Sequence, residues 1–74
     1  MTTPSILKEM GARLKEYRLR KGRMQSELAE SASVGVGTIA KMDRGGAVSV
    51  QILLSVWRSL GMLETIGQLL PEPP

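Results

Sequence analysis

Between Arg13 and Arg23 the chain carries Arg13, Lys15, Arg18, Arg20, Lys21 and Arg23 against a single acid, Glu16. A cationic run of this density can hold anions, the phosphates of nucleic acid among them. A solvated helix face can carry the same residues for solubility alone, so the run needs a structural context before it means binding. The charge is also uneven along the chain. Residues 1–44 hold nine of the ten basic residues and five of the seven acids, a net +4, while residues 45–74 hold Arg58 against Glu64 and Glu72, a net −1. The side chains that serve most other chemistry are missing. There is no His, the usual proton-transfer group near neutral pH. Without Cys or His, a zinc site lacks its usual ligands and no disulfide can form. No catalytic residue, metal site or cofactor is expected, and the chain does not read as an enzyme.

The elements that must position this charge are short and helical. At 74 residues and 8.0 kDa the chain allows one domain with a marginal core, which must pack efficiently or gain stability from a partner subunit. The stretch Gln25–Gly45, QSELAESASVGVGTIAKMDRG, holds two apolar-periodic segments. The first carries Leu28, Ala29 and Ala32, the second Ile39 and Met42. Ser33, Val34 and Gly35 leave room between them for only a tight corner. Two helices joined by three or four residues, with glycine at the bend, are the signature of a helix-turn-helix, whose second helix can enter a DNA major groove.

Five helices account for the whole chain. Thr3 is the expected N-cap of the first, with Pro4 at its first position. Ile6, Met10, Leu14 and Tyr17 repeat as one apolar face, flanked by Leu7 and Ala12. Gly22 closes that helix, the second starts near Gln25, the third follows Gly35, and Gly45-Gly46 stops the third. Ser49 caps a fourth, with Ile52, Leu53, Val56 and Leu60 on its buried side and Gly61 at its end. A last short helix from about Met62 offers Leu63, Ile66, Leu69 and Leu70 before Pro71. The domain is expected over residues 1–70, with residues 71–74 a frayed tail. No basic segment precedes an apolar core at the N-terminus, and no apolar run approaches a membrane span, so the expected location is the cytoplasm.

The pattern RLRKGRMQSELAESASVGVGTIAKMDRG resembles the helix-turn-helix family of Cro and lambda-type repressors, the XRE-like regulators. That family's pattern runs roughly R-x-x-x-G-x-x-Q-x-x-L-A-x-x-x-x-V-x-x-x-T-I-x-x-x-E-x-G. Arg18, Gly22, Gln25, Leu28, Ala29, Val34, Thr38, Ile39 and Gly45 fall in register, and Asp43 stands where Glu is usual. The C-terminal VWRSLGMLETIGQLLPEPP is similar to the ends of small regulators of the family, among them antitoxins and phage-borne repressors. The resemblance implies an all-α, five-helix lambda-repressor-like domain, bacterial or phage-encoded. It would bind double-stranded DNA as a homodimer on two half-sites about 34 Å apart. Gln25 would aim its amide and the adjacent N–H groups at a phosphate. Arg18 and Asp43 would form an ion pair setting the angle of the third helix, longer or water-bridged because Asp is one methylene shorter than Glu. Arg18 would also lie near the DNA backbone, with Arg23, Lys41 and Arg44 as further phosphate partners.

Leu28, Ala29, Val34, Ile39 and Met42 read as core, and Met10, Met42 and Met62 as packing residues. Trp57, beside Val56 and Leu60, reads as the edge of the core or, with Leu63, Ile66, Leu69 and Leu70, as a homodimer seam or a partner's docking ridge. The departures fall on the base-reading face, formed by Val36, Gly37, Thr38 and Lys41. Val36 and Gly37 have no side-chain donor or acceptor, and each lost bidentate contact removes about 1–3 kcal/mol of base discrimination. Val36 can touch a thymine methyl group, and Gly37 can permit closer backbone approach. Gly37 weakens the third helix by roughly 1 kcal/mol relative to alanine, and Met24 in place of a capping residue costs the second about as much. Two functions follow: a DNA-binding regulator, or a degenerate helix-turn-helix scaffold that binds a protein such as a cognate toxin. The basic run favours the first, and Gly35, Val36 and Gly37 favour the second. A membrane-surface role conflicts with the core's need for the first helix's apolar face.

Overall fold

The structure, a computed structural model, describes residues 1–69 and 72–74 and, of Ile66 and Leu69, the backbone alone. The described residues form an all-α fold of five helices: α1 Thr3–Arg20, α2 Gln25–Ala32, α3 Val36–Asp43, α4 Val50–Ser59 and α5 Leu63–Leu69. None is long and apolar enough to cross a membrane. The expected places of Leu70 and Pro71 lie outside the described residues.

The helices end where local chemistry stops them. In α1, α3 and α4 a left-handed glycine follows the last turn: Gly22 at φ +66°, Gly45 at +83° and Gly61 at +73°. The next N–H then reaches back to a carbonyl five residues earlier, from Arg23 to Arg18 (3.1 Å), Gly46 to Lys41 (2.8 Å) and Met62 to Trp57 (2.8 Å). The chain closes α2 the same way, Val34 N–H donating to the Ala29 carbonyl at 3.0 Å. There the left-handed residue is Ser33, at φ +57°. Gly35, with φ −72°, is the N-cap of α3, the place its position ahead of the third helix predicts, so the left-handed turn of this corner is made without it. At the start of α1 the cap is Thr2 rather than Thr3. The Thr2 hydroxyl accepts from the Ser5 N–H (3.3 Å) and the Ser5 hydroxyl from the Thr2 N–H (3.1 Å), which keeps Pro4 in the first turn, where no N–H is needed. Ser49 caps α4 by accepting from the Ile52 N–H at 3.2 Å.

Leu14, Leu28, Ala29, Ala32, Ile39, Met42, Val56, Trp57 and Leu60 are the buried core, with Met10, Val34, Val48, Ile52, Leu53 and Met62 packed against it. Helix α2 packs on α3 and α4, α1 on α3, and α5 on α4. Two expectations need correction. The buried stripe of α1 is Gly11, Leu14 and Arg18, with Leu7 and Met10 half-buried, whereas Ile6 and Tyr17 are exposed. The cause is Gly11: a Cβ there would lie 2.2 Å from the Met42 carbonyl oxygen, so the helix approaches α3 on its smallest residue and rotates Ile6 and Tyr17 outward. Trp57 is buried in the core, so its ring is not available to a dimer seam or a docking partner.

Candidate functional site

The first three helices meet at Asp43, the last residue of α3. Its Oδ2 accepts from Arg18 Nη2 at 3.1 Å and from Gln25 Nε2 at 2.8 Å. Arg18 comes from the last turn of α1 and Gln25 opens α2, so one carboxylate oxygen ties three elements together. Arg18 Nη1 also donates to the Arg23 carbonyl at 2.8 Å, holding the α1–α2 turn to the same junction. The ion pair is desolvated, with the two side chains only 6% and 10% exposed. Despite the shorter aspartate the contact is direct, because the end of α3 lies close against α1. The junction changes two expected roles. The Gln25 amide donates one N–H inward to Asp43, which leaves an anion its second N–H and the backbone N–H groups at this helix start. Arg18 is 5% exposed, with Nη1 and Nη2 both engaged inside the junction, although it borders the groove at the start of α2.

The basic run is likewise divided by the fold. Arg23 Nη1 donates to the Ser31 hydroxyl (3.1 Å), the Ser59 carbonyl (3.0 Å) and the Ser59 hydroxyl (3.2 Å), bracing the end of α2 against the end of α4. The Ser31 and Ser59 hydroxyls also hydrogen-bond to each other. This arginine, expected at a phosphate, is a half-buried structural strut. Arg13 and Arg20 lie on the outer face of α1, paired with Glu9 at 2.9 Å and Glu16 at 2.6 Å. That face is roughly opposite Arg18 at 100° per residue. Lys8, Lys15, Lys21, Lys41, Arg44 and Arg58 are exposed and have no carboxylate partner among the described residues.

The starts of α2 and α3 open onto one surface. Met24, Gln25 and Ser26 line an open groove together with Val36, Leu19, Gly22 and the two structural arginines, Arg18 and Arg23. Neither helix start is capped by the side chain of its N-cap residue, Met24 or Gly35. Glu27 accepts from the Met24 N–H at 2.9 Å, which leaves the following N–H groups of α2 open. Of the positions expected to read bases, Val36 and Gly37 are exposed and Thr38 is half-buried. Around Gly37 nothing lies within 4 Å of where a Cβ would stand. Lys41 is exposed, but its stem lies along the Gly45–Gly46 turn: a Cβ on Gly46 would come within 2.4 Å of Lys41 Cγ. Arg44 is exposed as the C-cap of α3. The inward roles of Gln25 and Arg23 carry no local sequence signal, since their partners lie 8 to 36 residues away. No protein-family model and no curated protein matches the chain.

Proposed function

We propose that this chain is a double-stranded-DNA-binding transcriptional regulator, a lambda-repressor-like domain in which α2 and α3 form a helix-turn-helix. The observation that carries this reading is the convergence of two helix starts without side-chain caps on one open groove, at Met24–Ser26 and Val36. Open backbone N–H groups at the positive ends of helices are suited to phosphate oxygens. The Arg18–Asp43–Gln25 junction supports the reading by holding α3 at a set angle to α1 and α2, as a helix presented to DNA requires. The regulator would act in the cytoplasm as a homodimer, repressing its own gene, with α5 and its half-exposed Leu63 in the seam.

Fluorescence anisotropy tests this with labelled duplexes of about 30 bp, long enough for two half-sites. One carries DNA from upstream of the gene and one is random. Tighter binding to the upstream duplex, weakening as salt rises from about 50 to 200 mM, is the expected result. No binding to either at the lower salt and micromolar protein overturns the proposal. A second reading, a scaffold for a protein such as a toxin, draws on the groove's exposed Leu19, Met24 and Val36 and on the donor-free Gly35-Val36-Gly37. Stoichiometric capture of one protein without DNA would favour it.

A further inference from the structure

We propose that the groove between the starts of α2 and α3 recognises the C5-methyl group of a pyrimidine in the DNA major groove, with Val36 as the contacting side chain; this rests on the DNA-binding reading. Three apolar side chains line that groove and stand in solvent: Leu19 is 57% exposed, Met24 66% and Val36 51%. Val36 is the first residue of α3, the end of a recognition helix that meets base edges. Beside it, Gly35 and Gly37 have no side chain to donate or accept. Among the major-groove edges of the four bases, the apolar feature is the methyl group of thymine, and 5-methylcytosine presents the same methyl on the same carbon. The open N–H groups flanking the apolar strip point to an occupant that brings anions with it. DNA does so: a methyl in the groove floor lies between phosphate-bearing walls. A peptide offers those N–H groups only neutral carbonyl oxygens, whereas phosphates bring the negative charge that positive helix ends favour.

Burial of one methyl group contributes about fourfold in affinity. The probe is an alternating duplex of adenine and thymine, compared with one in which deoxyuridine replaces every thymidine. Uracil keeps thymine's hydrogen-bonding groups and lacks only the methyl. The wild-type chain is expected to bind the deoxyuridine duplex at least about fourfold more weakly, and Val36→Ala is expected to bind the two alike. The substitution sits at an exposed position and introduces the strongest helix former, so the variant folds. An alternating guanine–cytosine duplex, with and without 5-methylcytosine, separates the sources. A gain on methylation assigns the groove to the methyl on either base, and no gain assigns it to thymine. Equal wild-type affinity for the thymidine and deoxyuridine duplexes overturns this inference and leaves DNA binding standing, as does a difference that persists unchanged in Val36→Ala. Binding to none of the duplexes at low salt overturns both and turns the apolar strip toward a protein partner.

Discussion

Asp43→Ala removes the acceptor on which α1, α2 and α3 converge, and its cost can be worked from the geometry. Arg18 Nη2 lies 3.1 Å from Asp43 Oδ2, a Coulomb attraction of about 5 kcal/mol at an effective dielectric of about 20. Part of that offsets the desolvation of both groups, whose side chains are 6% and 10% exposed. Removing one partner leaves the desolvation of the other uncompensated, and breaking a buried pair in this way costs about 3–5 kcal/mol. Arg18 would keep its bond to the Arg23 carbonyl, and Gln25 would lose its Asp43 acceptor. A 74-residue domain has about 4–11 kcal/mol of stability in all, so Asp43→Ala removes a large fraction of it. The assay is thermal unfolding followed by circular dichroism at the helix band, where each kcal/mol moves Tm by about 4–8 °C. The expected drop is at least about 12 °C. The double variant Arg18→Met with Asp43→Leu, which removes both charges and retains volume, should lose less than Asp43→Ala alone. A single-variant Tm within a few degrees of wild type would refute the claim that this junction is a desolvated ion pair on which the arrangement of the three helices depends.

Gly11 and Gly37 should respond oppositely to alanine. Gly11→Ala drives a Cβ to 2.2 Å from the Met42 carbonyl and should cost about 1–3 kcal/mol or more, whereas Gly37→Ala, in open space within α3, should stabilise by about 0.5–1 kcal/mol; urea midpoints decide both. Arg23→Ala deletes the strut between the ends of α2 and α4 and should destabilise by about 1–3 kcal/mol while leaving the salt slope of DNA binding unchanged. Lys41→Ala and Arg44→Ala, at exposed positions without carboxylate partners, should each lower the magnitude of that slope by about 0.9 at little cost to Tm.

Helix boundaries were largely legible in the sequence because they are set by residues acting on their own backbone. Gly22, Gly45 and Gly61 stop helices by adopting a left-handed turn, and Ser49 starts one with its own hydroxyl. Which face of a helix is buried was less legible, since packing can favour side chains that hydropathy counts as misfits. On α1 the hydropathy pattern selects Ile6 and Tyr17, but close approach to α3 demands the missing Cβ of Gly11, and a carboxylate across the junction lets Arg18 go inside. Trp57 gave a similar ambiguity: its neighbours Val56 and Leu60 fit either a core or a seam, and only the packing of α4 on α2 decides it.

The cationic run shows why the same logic bears on function. Read linearly, residues 13–23 form one phosphate-binding block. In the fold, Arg18 and Arg23 become internal struts, and Arg13 and Arg20 pair on the far side of α1 with Glu9 and Glu16. Those exposed pairs are weak, at about 0–1 kcal/mol, and can yield to a stronger anion, but they do not lie beside the groove. In the proposed function, attraction to DNA then falls to open backbone N–H groups and to the exposed lysines and arginines without carboxylate partners, Lys41 and Arg44 among them. Few phosphate contacts mean a shallow salt dependence. A shallow slope leaves more of any sequence preference to what Val36 and its neighbours touch. A steep slope, as from six or more neutralised phosphates, would require the outer-face arginines to swing onto the DNA, and Arg13→Ala with Arg20→Ala would then reduce it by about 2.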